Sequence, residues 1–278
     1  MDSLITLDIA GIATTLDIAD AAMARQVRER FGPFVVRAGQ APMQVAVEVV
    51  PGARFATPRA GGWVVDTVQD GERLSYRSVY DAGWIDFARG QALLQIAPET
   101  SLENFIRVLY AHLVLRDGGL LLHAAGALKN GAGYVFFGPS GSGKSTSARL
   151  SQGAGCTVLG DDLVVVRRQG ERYQVHGVPF RGSERFVPLT RADAPLAGLF
   201  ALRKAEVHAV QALSGPAAVA QLVRVAPFVI AQPDSGARVM ALCADLAQRT
   251  FVGELRFRKD EAFWRLIDEQ VALVPSPA

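Results

Sequence analysis

Apolar and polar residues alternate along most of the first hundred positions of this chain, as they do in half-buried strands. Turn residues (Gly, Pro and Asp) separate these stretches from one another. One predicted helix, roughly Asp20 to Phe31, interrupts them. The pattern predicts an antiparallel, β-rich module over residues 1–100, with strands at LITLDIAG, ATTLDIA, MQVAVEVV, GWVVDTV, RLSYRSVY and QALLQIA.

The remaining chain, 101–278, mixes helical and strand patterns. A helix is expected to begin near Ser101, because apolar residues recur at helical spacing from Phe105 to Leu113. The pairs Asn130-Gly131 and Gln169-Gly170 predict two hairpin turns. Further strands are expected at LLLHAAG, YVFF, CTVLG, GLFALRK and FVGELRF, and further helices at 217–228, 236–248 and about 260–273.

A glycine-rich segment, GPSGSGKS at 138–145, follows the apolar run YVFF and fits the pattern G-x-x-x-x-G-K-[ST]. The backbone N–H groups of such a loop face a phosphate, and the next helix adds its positive N-terminal end. Lys144 would reach the β- and γ-phosphates, and the Ser145 hydroxyl would bind Mg²⁺. The segment therefore predicts a nucleoside triphosphate site, formed by Gly138, Pro139, Ser140, Gly141, Ser142, Gly143, Lys144, Ser145 and Thr146.

Three more residues are candidates for chemistry near this loop. Asp161 and Asp162 end the apolar strand CTVLG, where an acid could hold the metal. Neighbouring strand residues point to opposite sides, so one aspartate is expected to face Mg²⁺ and the other the attacking hydroxyl. An ordinary strand-ending turn is the alternative. His123 lies within LLLHAAG and fits a reacting group and a core residue equally well.

Composition narrows the classes of partner. The net charge is +2, and the one dense basic run, RQVRER at 25–30, is more typical of a solvated helix face than of a phosphate-tracking patch. Nucleic-acid binding is therefore disfavoured. The only two cysteines, Cys156 and Cys243, are expected to be buried free thiols in a reducing compartment.

The other three histidines, the N-terminus and the longest apolar stretch indicate neither a zinc site nor a membrane protein. His112 fits a helix face and His176 a hairpin end, His208 is expected to be exposed, and no zinc-site spacing occurs. The acidic N-terminus does not resemble a signal peptide. The longest apolar stretch, near 225–231, is too short to cross a bilayer. We therefore expect a cytoplasmic protein that does not contact membranes.

Four segments together carry a family resemblance: LLLHAAG, GPSGSGKST, VLGDDLVVVRR and GVPFRG. They resemble the catalytic domain of the HPr kinase/phosphorylase family. They are more similar still to small HPr-kinase-like proteins of bacterial peptide-modification clusters, some of which phosphorylate a serine of a lasso-type peptide. The resemblance covers about 119–205. It implies an α/β fold, in which a P-loop kinase domain of the HPr kinase / phosphoenolpyruvate carboxykinase type with inserted β-hairpins, 101–278, follows the smaller β-rich module, 1–100.

The resemblance also implies roles. Asp161 would be the catalytic base, Asp162 would assist at the metal with Ser145, and His123 would lie near the acceptor or the γ-phosphate. ATP and Mg²⁺ are the implied cofactors. The family signature LEiRGlGiinV, which carries a metal-binding glutamate, is absent, and Glu184 is the candidate replacement. Thr146 stands where authentic HPr kinases have an acidic residue.

The implied activity is ATP-dependent transfer of the γ-phosphate to a hydroxyl of a peptide or small-protein substrate, with serine as the first choice. A small-metabolite kinase and a nucleotide-binding regulatory protein without phosphotransfer remain as alternatives. The β-rich module is a candidate for substrate recognition. The sequence leaves open the acceptor, the choice between ATP and GTP, and whether the chain forms a homo-oligomer.

Overall fold

A computed structural model of the chain describes residues 3–37, 39–58, 65–180, 182, 187–229 and 233–272. The fold is mixed α/β with two sheets. The chain divides into two units, Met1–Tyr110 and Ala111–Ala278, and the division falls inside one helix, α2 (Glu103–Arg116). Each unit contains one of the sheets.

The first unit is built on an eight-stranded sheet with the order β3-β1-β2-β4-β8-β7-β6-β5. The six strands predicted from alternation are present, although residues 62–64 of GWVVDTV lie outside the described residues. Two strands were not predicted, β3 and β7. The strands are β1 (Leu4–Ile9), β2 (Ile12–Ile18), β3 (Val35–Val36), β4 (Met43–Val49), β5 (Val65–Asp70), β6 (Arg73–Ser78), β7 (Asp81–Asp86) and β8 (Gln91–Ile96).

The prediction of a wholly antiparallel module was wrong. Strand β4 pairs in parallel with both β2 and β8. The chain leaves β2 through a helix and leaves β4 through a three-stranded meander, and both connections bring it back in the same direction. Alternation along one strand records which face is buried, whereas strand direction depends on the connections, so the pattern could not distinguish the two arrangements.

The basic run at 25–30 lies on α1 (Ala21–Phe31), whose start agrees with the prediction. The Asp20 carboxylate caps this helix by accepting a hydrogen bond from the Met23 N–H at 2.8 Å. Met23, Val27 and Phe31, spaced four residues apart, are buried. Arg25 and Arg28 are exposed, as expected for a solvated helix face.

The second unit is built on a nine-stranded sheet, in which β12-β10-β11-β15-β14-β13-β9 are neighbours and β17 joins β15 to β16. Strand β15 pairs in parallel with β11 and β17, and the other pairs are antiparallel. Strand β16 was not predicted. The strands are β9 (Gly119–Leu122), β10 (Ala124–Lys129), β11 (Ala132–Phe137), β12 (Thr157–Gly160), β13 (Val164–Gln169), β14 (Arg172–His176), β15 (Asp193–Lys204), β16 (Ala209–Ala212) and β17 (Phe251–Phe257).

Both predicted hairpins are confirmed, β10–β11 and β13–β14. Asn130 and Gly131 have φ of 52° and 78°, which suit the two central positions of a tight hairpin turn. Gly170 has a φ of 60° at the second turn. Local turn chemistry therefore decided these two elements.

Helices of the second unit pack on its sheet and contribute side chains to its hydrophobic core. Phe136 packs against Phe200 and Phe263, and an aromatic cluster extends from there to Trp264. The helix predicted at 217–228 ends five residues early, and the last helix begins at Phe263 instead of near Asp260. The helices of this unit after α2 are α3 (Lys144–Gly153), α4 (Gly215–Val223), α5 (Pro233–Arg249) and α6 (Phe263–Ala272).

Candidate functional site

The glycine-rich loop joins β11 to α3, with a strand before it and a helix after it as the sequence predicted. Gly138, Gly141 and Gly143 have φ of 152°, 76° and 111°, which side chains rarely tolerate. The Ser142 N–H donates to the Pro139 carbonyl at 3.1 Å, and the Ser147 N–H to the Gly143 carbonyl at 2.7 Å. The loop is thus a tight turn that leads straight into the first turn of α3.

Lys144 lies folded against the loop and is only 8% exposed. Its Nζ donates to the carbonyl oxygens of Gly138 (3.0 Å) and Pro139 (3.3 Å). Burial lowers the pKa of Lys144, and the negative charge of Asp162 partly opposes that shift. A buried ammonium group bonded to neutral carbonyls is poorly compensated, so an anion at the loop would be a favourable neighbour.

The remaining loop residues differ in exposure. Pro139 and Ser140 are exposed, while Ser145 and Thr146 are half-buried in the first turn of α3. The Ser142 Oγ is buried and has no hydrogen-bond partner within the described residues. An orphaned hydroxyl beside a buried lysine fits a loop that receives additional acceptor atoms.

Asp161 and Asp162 follow β12 at a bend and have different surroundings. Asp161 is 3% exposed, and its Oδ1 accepts a hydrogen bond from the Gly182 N–H at 3.2 Å. A Cβ added to Gly182 would come within 2.6 Å of the Asp161 Oδ2, so this contact requires glycine. Asp162 is about one-quarter exposed, and its backbone carbonyl accepts from the Ala124 N–H at 3.0 Å.

His123 does not lie within a continuous strand, and the expectation of one apolar strand over LLLHAAG was wrong. The chain bends at His123, which separates β9 from β10. Its backbone N–H donates to the Val225 carbonyl at 2.7 Å, outside the sheet. Its side chain is 46% exposed, and its Nε2 lies 3.6 Å from the Asp162 Oδ1. The break thus turns the imidazole out of the sheet toward Asp162.

A cleft of about 600 Å³ adjoins the loop and His123. Its other wall is formed by α4 and the turn after it, which the sequence did not single out. Helical periodicity marks the buried face of α4 and says nothing of which residues face a cleft. Gly182 lies within the GVPFRG segment, and its contact with Asp161 was not predicted either. The residues that line the cleft are His123, Gly138, Pro139, Ser140, Gln221, Arg224, Val225 and Pro227.

The histidines outside this site differ from one another. His112 and His176 are buried. The prediction that His208 is exposed was wrong: its side chain is 11% exposed, and its Nε2 lies 2.6 Å from the Asp260 Oδ1. That contact, together with one from Arg258, lowers the pKa of Asp260 to about 2. The pairing joins residues 52 positions apart, which local composition cannot reveal.

Both cysteines are buried free thiols, as predicted. Burial raises the pKa of each, that of Cys243 to about 12.

Glu184, the candidate replacement for the missing glutamate, lies outside the described residues. Among the residues that are described, no three His, Cys, Asp or Glu side chains cluster as metal ligands, and no helix is long and apolar enough to cross a membrane.

The donor atoms at the loop fit a magnesium-bound triphosphate. Mg²⁺ takes oxygen ligands and is usually held by one or two carboxylates together with phosphates, so three protein ligands are not required. The hydroxyl of Ser145 and the carboxylate of Asp162 are such donors, and Asp162 is close enough to affect the pKa of the adjacent Lys144. The buried lysine and the orphaned Ser142 hydroxyl fit the phosphates.

Comparison with known proteins gives one family. The model of the family described as SynChlorMet cassette protein ScmC matches residues 98–246, more than half of the chain. No curated protein matches. Among solved structures, the Hpr(Ser) kinase/phosphatase from Coxiella burnetii is 9% identical, and the match covers 53% of this chain and 91% of that one at a TM-score of 0.30. On the extent of the family match, the chain belongs to the family of SynChlorMet cassette protein ScmC.

Proposed function

We propose that this chain is an ATP-dependent phosphotransferase of the HPr-kinase-like type. It moves the γ-phosphate of ATP to a hydroxyl, with a serine of a small protein or ribosomally made peptide as the acceptor. The observation that carries the proposal is the buried Lys144 beneath the glycine-rich loop, with the Asp162 charge close enough to act on it. The motif-level resemblance to HPr kinases adds the choice of reaction.

On the donor side, the loop would hold the triphosphate as a P-loop does. Its backbone N–H groups and the N-terminal end of α3 supply positive potential, and Lys144 supplies a full charge. Mg²⁺, when bound, would neutralise phosphate charge. Ser145 and Asp162 are the residues that would hold it, and the exposed part of Asp162 leaves room for this role.

On the acceptor side, Asp161 would take the proton of the attacking hydroxyl. The Gly182 N–H orients its carboxylate through a 3.2 Å hydrogen bond, and the absence of a side chain at Gly182 keeps that position open. His123, half-exposed at the cleft, would hold or orient the acceptor near Asp162. Positioning and charge neutralisation supply most of the catalysis in phosphoryl transfer, and base assistance supplies less.

Arg224 adds a cation on the opposite wall of the cleft. It is exposed, so its guanidinium is available to an anionic group. A planar guanidinium can bind two oxygens of a phosphate or carboxylate at once. In this proposal the Arg224 guanidinium would stabilise the anionic charge that develops on the phosphoryl group during transfer.

A small-metabolite kinase is the second candidate. The cleft volume of about 600 Å³ is within the range of small-molecule sites, so a metabolite with a hydroxyl would fit as well as a serine-bearing loop. Incubation with γ-labelled ATP, Mg²⁺ and candidate precursor peptides, followed by mass mapping, distinguishes the two. Label on a peptide serine supports the proposal; label only on small molecules from an extract supports the second candidate, and no transfer to either contradicts both.

The two aspartates give the sharpest test of mechanism. Asp161→Asn keeps the size and the hydrogen-bond acceptor but cannot take a proton, so kcat should fall on the order of 10²–10⁴-fold with nearly unchanged ATP affinity. Asp162→Asn should instead weaken Mg²⁺-dependent nucleotide binding, and excess Mg²⁺ should restore part of it. Binding titrations over a range of Mg²⁺ concentrations, with kcat measured in parallel, separate these effects. Near-normal transfer by Asp161→Asn would contradict the role of Asp161 as the base, whereas MgATP binding by the parent protein without transfer to any acceptor would favour a nucleotide-binding regulatory protein.

A further inference from the structure

One wall of the cleft is a short turn after α4, residues 224–229, here called the wall segment. Arg224, Val225 and Pro227 of this segment line the cleft. The Val225 and Ala226 N–H groups donate to the carbonyls of Leu222 and Val223 at 3.1 and 3.3 Å, which continue the helical pattern by one turn. Two tethers reach this segment from other elements.

The first tether is the hydrogen bond from the His123 N–H to the Val225 carbonyl, at 2.7 Å. It connects the wall segment to the break between β9 and β10, which also positions the His123 side chain. This bond, which involves backbone atoms only, links the wall segment to the backbone at His123.

The second tether acts at Phe228, whose backbone is strained, with a φ of 71°. Residues other than glycine rarely adopt this conformation, and aromatic residues have no local hydrogen bond that would favour it. Such a conformation persists only where the surroundings enforce it, and residues of this kind cluster at functional sites. Something must therefore hold Phe228 in place.

The residue that contacts the Phe228 backbone is His112, which lies on α2 and is 2% exposed. Its ring shares a hydrogen bond with the Phe228 backbone, and this bond raises the pKa of His112. A hydrogen bond that favours protonation of an imidazole is one that its N–H donates, so the Phe228 carbonyl is the acceptor. Burial and the charge of Arg116 outweigh this bond and lower the pKa to about 4. The ring is thus neutral near pH 7.

We propose that His112 is a positioning residue, which holds the strained Phe228 backbone and so fixes the wall segment that presents Arg224 and Val225 to the cleft. The effect of His112 on phosphoryl transfer rests on the proposed function, whereas its effect on the wall segment does not. In this proposal His112 acts through the backbone of the wall segment.

Hydrogen exchange tests the structural part without any substrate. His112→Leu removes the donor at similar volume, and the amides of His123, Val225 and Ala226 should then exchange about tenfold faster, as expected for loss of roughly one hydrogen bond's stabilisation. His112→Gln or His112→Asn retains an N–H donor, and one of them should restore slow exchange. Val114→Ala is the matched control, since Val114 lies on the same helix and packs near Gly119.

Three results would overturn the proposal. Exchange at these amides could stay at the parent rate in His112→Leu, or Val114→Ala could accelerate it equally. The third applies even if His112→Leu fails to fold: in the parent protein, NMR could show no through-hydrogen-bond coupling between the His112 ring nitrogen and the Phe228 carbonyl carbon.

Measurements of MgATP turnover test the effect of His112 on phosphoryl transfer. His112→Leu should lower kcat at least fivefold while MgATP affinity changes less than threefold, since the donor contacts belong to the loop. A parent protein without turnover would contradict the proposed function and leave the exchange result to decide the role of His112. Unchanged kcat in a His112→Leu variant with accelerated exchange would overturn the catalytic part of the inference.

Discussion

Lys144 illustrates how a single residue depends on its surroundings. A lysine after a glycine-rich turn is common on protein surfaces, but here the side chain is buried and donates to two loop carbonyls. Lys144→Ala should abolish phosphoryl transfer and weaken ATP binding by about 100-fold or more, because a charge-assisted contact to phosphate is lost. Isothermal titration with MgATP measures this. Lys204→Ala, at an exposed lysine, is the control and should bind normally.

His123 is the residue whose interpretation the sequence left most open. Its half-exposed ring, 3.6 Å from an Asp162 oxygen, has little packing to lose. His123→Ala should therefore lower kcat at least tenfold and change the thermal midpoint by less than about 3 °C, since substitutions away from packed cores cost little stability. The hydrogen bond from the His123 N–H to the Val225 carbonyl involves only backbone atoms and survives the change. A large loss of stability with normal turnover would make His123 a structural residue.

At the scale of elements, the glycine-rich loop combines conformation with close packing. A Cβ at Gly143 would lie 2.7 Å from the Phe257 ring, and its φ is 111°. Gly141 also has a positive φ, 76°, but has open space around it. Both Gly→Ala variants meet backbone strain, of about 1–2 kcal/mol, and only Gly143→Ala adds a collision with β17.

We therefore expect Gly143→Ala to weaken MgATP binding at least tenfold more than Gly141→Ala. Nucleotide titrations of the two variants under the same conditions measure the difference. Phe257→Leu combined with Gly143→Ala should recover part of the loss, since it shortens the side chain that the new methyl group meets. Equal affinity of the two single variants would mean that the packing of the loop on β17 does not shape the site.

At the scale of the whole molecule, buried titratable groups make stability depend on pH. Burial lowers the pKa of His112 to about 4, below the ordinary histidine value of 6.5. As pH falls below 6.5, the unfolded chain binds a proton that the folded chain does not, so the unfolded state gains. Between about pH 6.5 and 4 this should remove on the order of 2–3 kcal/mol of stability.

Thermal unfolding over that pH range checks this prediction. His112→Gln should reduce the slope. A contribution of opposite sign should remain in the variant, because burial raises the pKa of Asp81 in the first unit and its protonated form favours the folded state. A parent protein and a His112→Gln variant with the same pH dependence would contradict the assignment of a buried neutral imidazole.

Local chemistry determined several features of this protein by itself. Asn130-Gly131 specifies a hairpin turn because both residues accept positive φ. The strand, loop and helix at 134–150 follow from one apolar run, three glycines and the absence of a helix breaker. The alternation in residues 1–100 likewise specified strands, because a period of two leaves one face for the core.

Only the tertiary structure decided which distant residues meet. Several features depend on segments that are far apart in the chain. They are the parallel pairing of β4, the break at His123, the contact of Gly182 with Asp161 and the placement of Arg224 at the cleft. Another is the contact between His112 and Phe228, residues that no local pattern connects. Periodicity reports which side of an element is buried, and chain connections and packing decide what it is buried against.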